Sequence, residues 1–370
     1  MSELAWPIAF MLLFVFGEAL FLQLSGRQSV NWRDVVFNID SGHLMLWLFR
    51  GLEITCYGYA AAHWSLDLLA SWPPAAVWLF ALLAWDFGFY WLHRLHHQWP
   101  LFWAVHLIHH QGLHFNLSLG VRNSWYSSLT SIPFFLLLAL LGVPLSVFVA
   151  VSILHYSVQF YNHNALVPRL RWLEAILITP ALHRVHHVND ARYCNSNFGG
   201  TFSFWDRLFG SLERELPAAP FSYGVGRETP PENPFWASNL PFLRLFGGTS
   251  PTPPAARFAC ADWAIASGAL LLFALVVGYV DRYGYGYGAV DFAQIVLFAL
   301  LASGAVVLGG MAEGRRWAPL AWLALCLALP AAWLSGLRWF AGIWPWLMLP
   351  LAAHGLLLAL GVGRRPASAA

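Results

Sequence analysis

Residues 85–116 read WDFGFYWLHRLHHQWPLFWAVHLIHHQGLHFN. The stretch opens as an apolar, aromatic run and turns abruptly into a field of imidazoles. His93 and His97 are four apart, so a helix would put them on one face. His106, His109 and His110 follow the spacing i, i+3, i+4, which again selects one face. The fold depends on whether the apolar run is buried in protein or in lipid.

Composition answers for lipid. The chain has 370 residues, 59% hydrophobic and only 10% charged, with a mean hydropathy of +0.57. Soluble domains carry about a quarter charged residues. The reading is therefore an integral membrane protein. A net charge of +2 excludes a nucleic-acid partner, and the lack of any Lys reflects composition bias rather than mechanism. Cys56, Cys194, Cys260 and Cys326 are far apart, and three lie in apolar runs where a thiol acts as a small hydrophobe. A disulfide framework or an iron–sulfur site is not expected. Glu3 stands where a secretion signal needs positive charge, and no small-residue cleavage site follows, so the first apolar run is read as a retained span.

A span needs about 20 apolar residues. Candidates are 6–24, 44–70, 73–92, 126–141, 145–165, 258–280, 289–311, 317–336 and 340–362. Gly142-Val143-Pro144 reads as a tight turn between the fourth and fifth. Arg residues concentrate in 25–43, 93–125, 166–257, 312–316 and the C-terminal tail, which places those loops and the C-terminus in the cytoplasm. The expected fold is an all-α integral membrane protein, with about nine transmembrane helices and a cytoplasmic histidine-rich cap over the bundle. "TPPENPF" and "TSPTPP" punctuate the long cytoplasmic segment. "RYGYGYGAVD" (282–291) lacks the strand–helix context of a phosphate loop and reads as an interfacial turn with Tyr anchors.

A third box, His183, His186 and His187, repeats the i, i+3, i+4 spacing, and His163 closes the fifth span on the same side. Lone histidines such as His43, His63 and His354 read as interfacial residues. Three boxes at one membrane edge do not. Imidazole is the commonest protein metal ligand, and nine exceed what one metal uses, so two metals fit. By ligand type alone the metal is iron, copper or zinc. His96 points away from the His93/His97 face, and His114 and His155 are ambiguous. Asp86 lies two turns before His93; the expectation is that it accepts a proton from a ligand imidazole and fixes its tautomer. Thr179-Pro180 reads as N-cap and first residue of a short helix carrying the third box. Arg50 and Glu53 are spaced to pair; Glu18, Glu53 and Asp67 are given no chemistry.

HRLHH (93–97), HLIHH (106–110), His163 and HRVHH (183–187) resemble the fatty acid hydroxylase / sterol desaturase superfamily. Within it, "DFGFYWLHR", "NLSLGVRNSW", "TPALHRVHH", "ARYCNSNFGG" and "FWDRLFGSLE" are similar to the alkylglycerol monooxygenase family, whose nine-helix plan the C-terminal spans also match. Two departures stand out. Gln98 replaces the Glu that follows the first box there, and the "CNSNFG" stretch is one residue shorter. The resemblance implies N-terminal membrane helices over 1–78, a hydroxylase domain over 79–213, a cytoplasmic connector over 214–257 and a C-terminal bundle over 258–362. It implies a di-iron centre held by His93, His97, His106, His109, His110, His163, His183, His186 and His187, with Asp86 behind them.

The implied activity is O₂-dependent hydroxylation or desaturation of a lipid entering from the bilayer, in the inner or plasma membrane of a bacterium. The sequence holds no dinucleotide or iron–sulfur motif, so electrons come from outside. The resemblance offers tetrahydrobiopterin; a ferredoxin or cytochrome partner is the alternative. A zinc-dependent membrane hydrolase would place a catalytic Glu beside its histidines, and these boxes contain none. A metal transporter would carry its ligands in mid-membrane.

Overall fold

A computed structural model describes residues 6–226, 230–249, 256–284 and 290–366, with 42–48 described by backbone alone. Glu3, much of the Pro-rich "TSPTPP" and the centre of the alternating-glycine segment lie outside the described residues, as does the side chain of His43. The described chain is mostly helical, with almost no strand. Five helices are long and apolar enough to cross a membrane: Trp6–Leu24, Pro74–Gln98, Asp262–Tyr283, Phe292–Ala312 and Ala318–Leu337.

The chain begins with α1 (Trp6–Leu24) and α2 (Trp32–His63). α2 starts well before the expected 44–70 because Asn31 caps it, accepting from the amides of Arg33 and Asp34. Its polar first turns look like a loop in sequence, yet Asn38 is buried and donates to Ser118. α3 (Pro74–Gln98) continues past the expected 92 and carries the first box on its last turns. Pro100 then ends it, because the residue before a proline is pushed out of the helical region; Trp99 is extended at φ −106°, ψ 126°. α4 (Pro100–His110) starts at that proline and folds against α3, bringing the second box onto the first.

α5 (Ser127–Leu141) and α6 (Leu145–Tyr161) form the hairpin, closed by Gly142 at φ 97°, a left-handed C-cap that suits glycine. At 1.5 Å per residue these two helices are about 22 and 26 Å long, shorter than the roughly 30 Å hydrocarbon layer. α7 (Pro180–His186) carries the third box; the Thr179 hydroxyl caps it by accepting from the amide of Leu182. α8 (Ala191–Cys194), α9 (Phe204–Leu208) and α10 (Pro234–Leu245) complete the central region.

The C-terminal bundle comprises α11 (Asp262–Tyr283), α12 (Phe292–Ala312), α13 (Ala318–Ala332) and α14 (Met348–Ala359). The expected continuous span 340–362 is broken: a 3₁₀ turn over Trp344–Leu347 precedes α14. Two short antiparallel strands, β1 (Phe258–Cys260) and β2 (Arg364–Pro366), close the bundle's two ends on each other.

Two apolar cores share α2. Val35, Val36 and Ile39 pack with α1 and α11–α14, whereas Tyr57 and Ala60 pack with α3, α5 and α6. Leu117 and Val121, just beyond the second box, belong to the first core. In lipid such contacts act through close packing rather than release of water. The expected Arg50–Glu53 pair forms within α2, and Glu53 also accepts from Ser131 at 2.7 Å, fastening α5.

Candidate metal centre

Four separated segments deliver the nine predicted histidines to one place. The end of α3 supplies His93 and His97, α4 supplies His106, His109 and His110, the turn after α6 supplies His163, and α7 with its C-cap supplies His183, His186 and His187. They form two groups: His93, His97, His106, His110 and His186 in one, and His109, His163, His183 and His187 in the other. Within each group the potential ligand atoms lie within 4.8 Å of one another. The groups abut, with the His110 and His187 rings stacked at 4.5 Å.

The outer nitrogens set the tautomers. His93 Nδ1 lies 2.9 Å from the carbonyl of Phe198, His109 Nδ1 2.9 Å from that of Arg122, His163 Nδ1 2.8 Å from that of Gln159, and His186 Nδ1 2.7 Å from that of Ser196. A carbonyl only accepts, so each of these Nδ1 atoms carries the proton, and each Nε2 presents a lone pair inward. His163 Nε2 then faces His109 Nε2 at 3.2 Å, lone pair against lone pair. No hydrogen bond can relieve that contact, because both protons are committed outward. Nε2 of His97, His110 and His186 is buried with no hydrogen-bond partner at all. Burial pushes His109 down to about 4, and burial together with neighbouring imidazoles holds His106, His110, His163, His183, His186 and His187 low as well. These rings are therefore neutral at physiological pH. Buried, unprotonated and convergent nitrogens fit cations, the chemistry neutral imidazoles supply to metals.

Asp86 does not behave as expected. Its carboxylate accepts from the amides of Thr201 and Phe202 and from the Trp205 indole, and pairs with His155 at 2.8 Å. None of the nine imidazoles is among these partners. Seven residues along a helix is a rise of about 10 Å, so sharing a face with His93 does not bring contact. His155, ambiguous in sequence, is fully buried beneath the centre against Trp85. His96 turns away from the cluster, bonding Thr130 at 2.9 Å while stacking on His106. His114 stays outside both groups. His354 lies in the C-terminal bundle, where Trp322 donates to it, and His63 lies exposed at the end of α2.

Three supporting residues escaped the sequence reading. The Arg122 Nε donates to the carbonyl of Ile108 at 2.6 Å, and its backbone carbonyl takes the His109 proton, so it grips the second box twice. Burial lowers its guanidinium to about 10, opposed by Asp34. Glu18 of α1 accepts from the amides of Leu117 and Ala165, tying two loops of the centre together. Asp206 accepts from the amides of Phe198 and Gly199, fixing the loop whose carbonyl holds His93.

Residues 78–211 match the family model for fatty acid hydroxylase. Human alkylglycerol monooxygenase is 35% identical over 227 residues, covering 60% of this chain and 49% of that protein. The ornithine lipid hydroxylase of Rhizobium tropici is 31% identical over 165 residues, 42% of this chain and 46% of that one. The Delta(7)-sterol 5(6)-desaturase of Aspergillus fumigatus is 28% identical over 176 residues, 40% and 52% of the two chains. The chain spans about half the length of the curated relatives it matches. No solved structure matches it.

Proposed function

From the match of residues 78–211 to the fatty acid hydroxylase model, we propose that this chain is a membrane-bound, O₂-dependent lipid hydroxylase or desaturase with two irons held by the nine histidines. The observation that carries the reading is the convergence of nine imidazoles in two groups, four of which commit Nδ1 to backbone carbonyls and so turn an unprotonated Nε2 inward, while the buried Nε2 atoms of His97, His110 and His186 have no partner. When bound, an iron pair supplies reduction of O₂ and removal of hydrogen from an unactivated C–H bond. The chain's own contribution is to orient the rings, keep them neutral and exclude water from the centre.

The electrons come from an external reductant; the likeness to alkylglycerol monooxygenase favours tetrahydrobiopterin over a protein donor. The lipid reaches the centre from the bilayer. Counting α1, α2, α3, α5, α6 and α11–α14 as spans gives nine. With the Arg distribution, that count supports the reading that the histidines and the C-terminus face the cytoplasm at a bacterial inner membrane. Residues 79–213 form the oxidising unit, with 1–78 and 258–362 as the membrane helices around it and 214–257 as connector.

Metal analysis with oxygen uptake tests this. Iron near two per chain and reductant-dependent uptake on adding lipid are expected. One zinc per chain without uptake overturns it in favour of a hydrolase, although neither group of potential ligands contains a carboxylate. A transporter is disfavoured because the ligands sit at helix ends.

A further inference from the structure

A second concavity lies where the chain leaves α1, beside the four-histidine group. It encloses about 340 Å³, within the range of small-ligand sites. Arg27, Gln28, His114 and Arg184 line it, and none of its described lining residues is acidic. Glu18, the carboxylate whose charge Arg184 offsets, is held behind the wall by the amides of Leu117 and Ala165. The Arg184 guanidinium stacks over the Phe115 ring at 5.2 Å and donates to the carbonyls of Asn164 and Ala165. Phe115 and Tyr223 line the recess with rings 5.7 Å apart, and the Phe115 ring also lies 5.8 Å from His163 and 5.5 Å from His187.

The recess thus combines cationic side chains, an aromatic lining and a place at the edge of the apolar layer. We propose that it binds the anionic phosphate headgroup of a lipid, seating that lipid beside the metal centre. The inference rests on the lipid-oxidising reading above and adds the headgroup chemistry. Arg27 and His114 meet the phosphate oxygens as charge and donor, and Phe115 separates headgroup from metal ligands. Free inorganic phosphate offers the same oxygens without the apolar tail that the neighbouring Leu22 and Leu113 would cover.

The test is calorimetric titration of the full chain, purified in neutral detergent, with dihexanoyl phosphatidate, dihexanoylglycerol and inorganic phosphate. Phosphatidate is expected to bind at least about tenfold tighter than either of the others. The Arg27→Gln/His114→Gln double variant should lose about tenfold in phosphatidate affinity, and Arg27→Lys should keep most of it. Equal binding of the neutral diacylglycerol, or unchanged affinity in the double variant, overturns the proposal. Inorganic phosphate binding as tightly as phosphatidate overturns the lipid assignment. Binding is read without turnover, so the two readings fail separately. Lost oxygen uptake with phosphatidate binding intact defeats only the oxidation reading. Unchanged binding in the double variant with uptake intact defeats only this one.

Discussion

Four of the candidate ligand imidazoles, those of His93, His109, His163 and His186, are fixed by a carbonyl at the outer nitrogen, and substitutions act on the rings or on the groups that hold them. His186→Ala or His187→Ala is expected to strip most bound metal while the protein stays in the membrane fraction, checked by elemental analysis of detergent-extracted protein. Arg122→Met removes the grip on Ile108 and loosens the carbonyl that holds His109. Losing such an outer partner weakens metal binding by about 10- to 100-fold, measurable by chelator competition. Asp86→Asn behaves differently. An amide keeps only one accepting oxygen, and each carboxylate oxygen takes two of the four donors, so two donors lose their partner, at about 1–3 kcal/mol each. A lower thermal midpoint with unchanged metal content is expected, because its contacts run to His155 and the 201–205 segment rather than to the centre. The boxes were legible because i, i+3, i+4 spacing survives in one dimension. Glu18 was not, since its acceptor role depends on amides 99 and 147 residues away. His155 did leave a trace, lying two turns before His163 on the face shared with Gln159.

At the scale of elements, short connections hold the site's tolerances. The 3₁₀ turn Leu117–Val121 presses Gly120 onto His163: a Cβ there would stand 2.9 Å from His163 Nδ1 and 3.1 Å from Cγ. Gly120→Ala must push that ring off its bond to Gln159. On the proposed two-iron reading, the expected result is selective loss from the four-histidine group, with bound iron falling from about two per chain toward about one, since His163 belongs only to that group. Elemental analysis beside a circular dichroism control for folding checks it. The helix positions of the boxes were readable from apolar runs and prolines. The true start of α2 was not, because Asp34 and Asn38 look like loop residues until Arg122 arrives as their partner, and Arg33 until Glu232 does.

For the molecule as a whole, the C-terminal bundle is a structural partner of the histidine-bearing region. α11 packs on α2, and Leu117 and Val121 share the core of α11–α14. Arg33 bridges Glu232 and the carbonyl of Ala312, joining α2, the connector and α12. A chain ended after residue 257 is therefore expected to lose both monodispersity in detergent and most of its metal, read by size-exclusion chromatography with in-line elemental detection. An intact, metal-loaded truncated protein would count against this coupling. The long-range carbonyl contacts also set an order of events during synthesis. His93 finds its acceptor in Phe198, 105 residues downstream, so the first box emerges from the ribosome and enters the bilayer long before its geometry exists. On the proposed iron reading, metal loading follows insertion, and cells starved of iron are expected to accumulate a membrane-resident apoprotein ready for later loading.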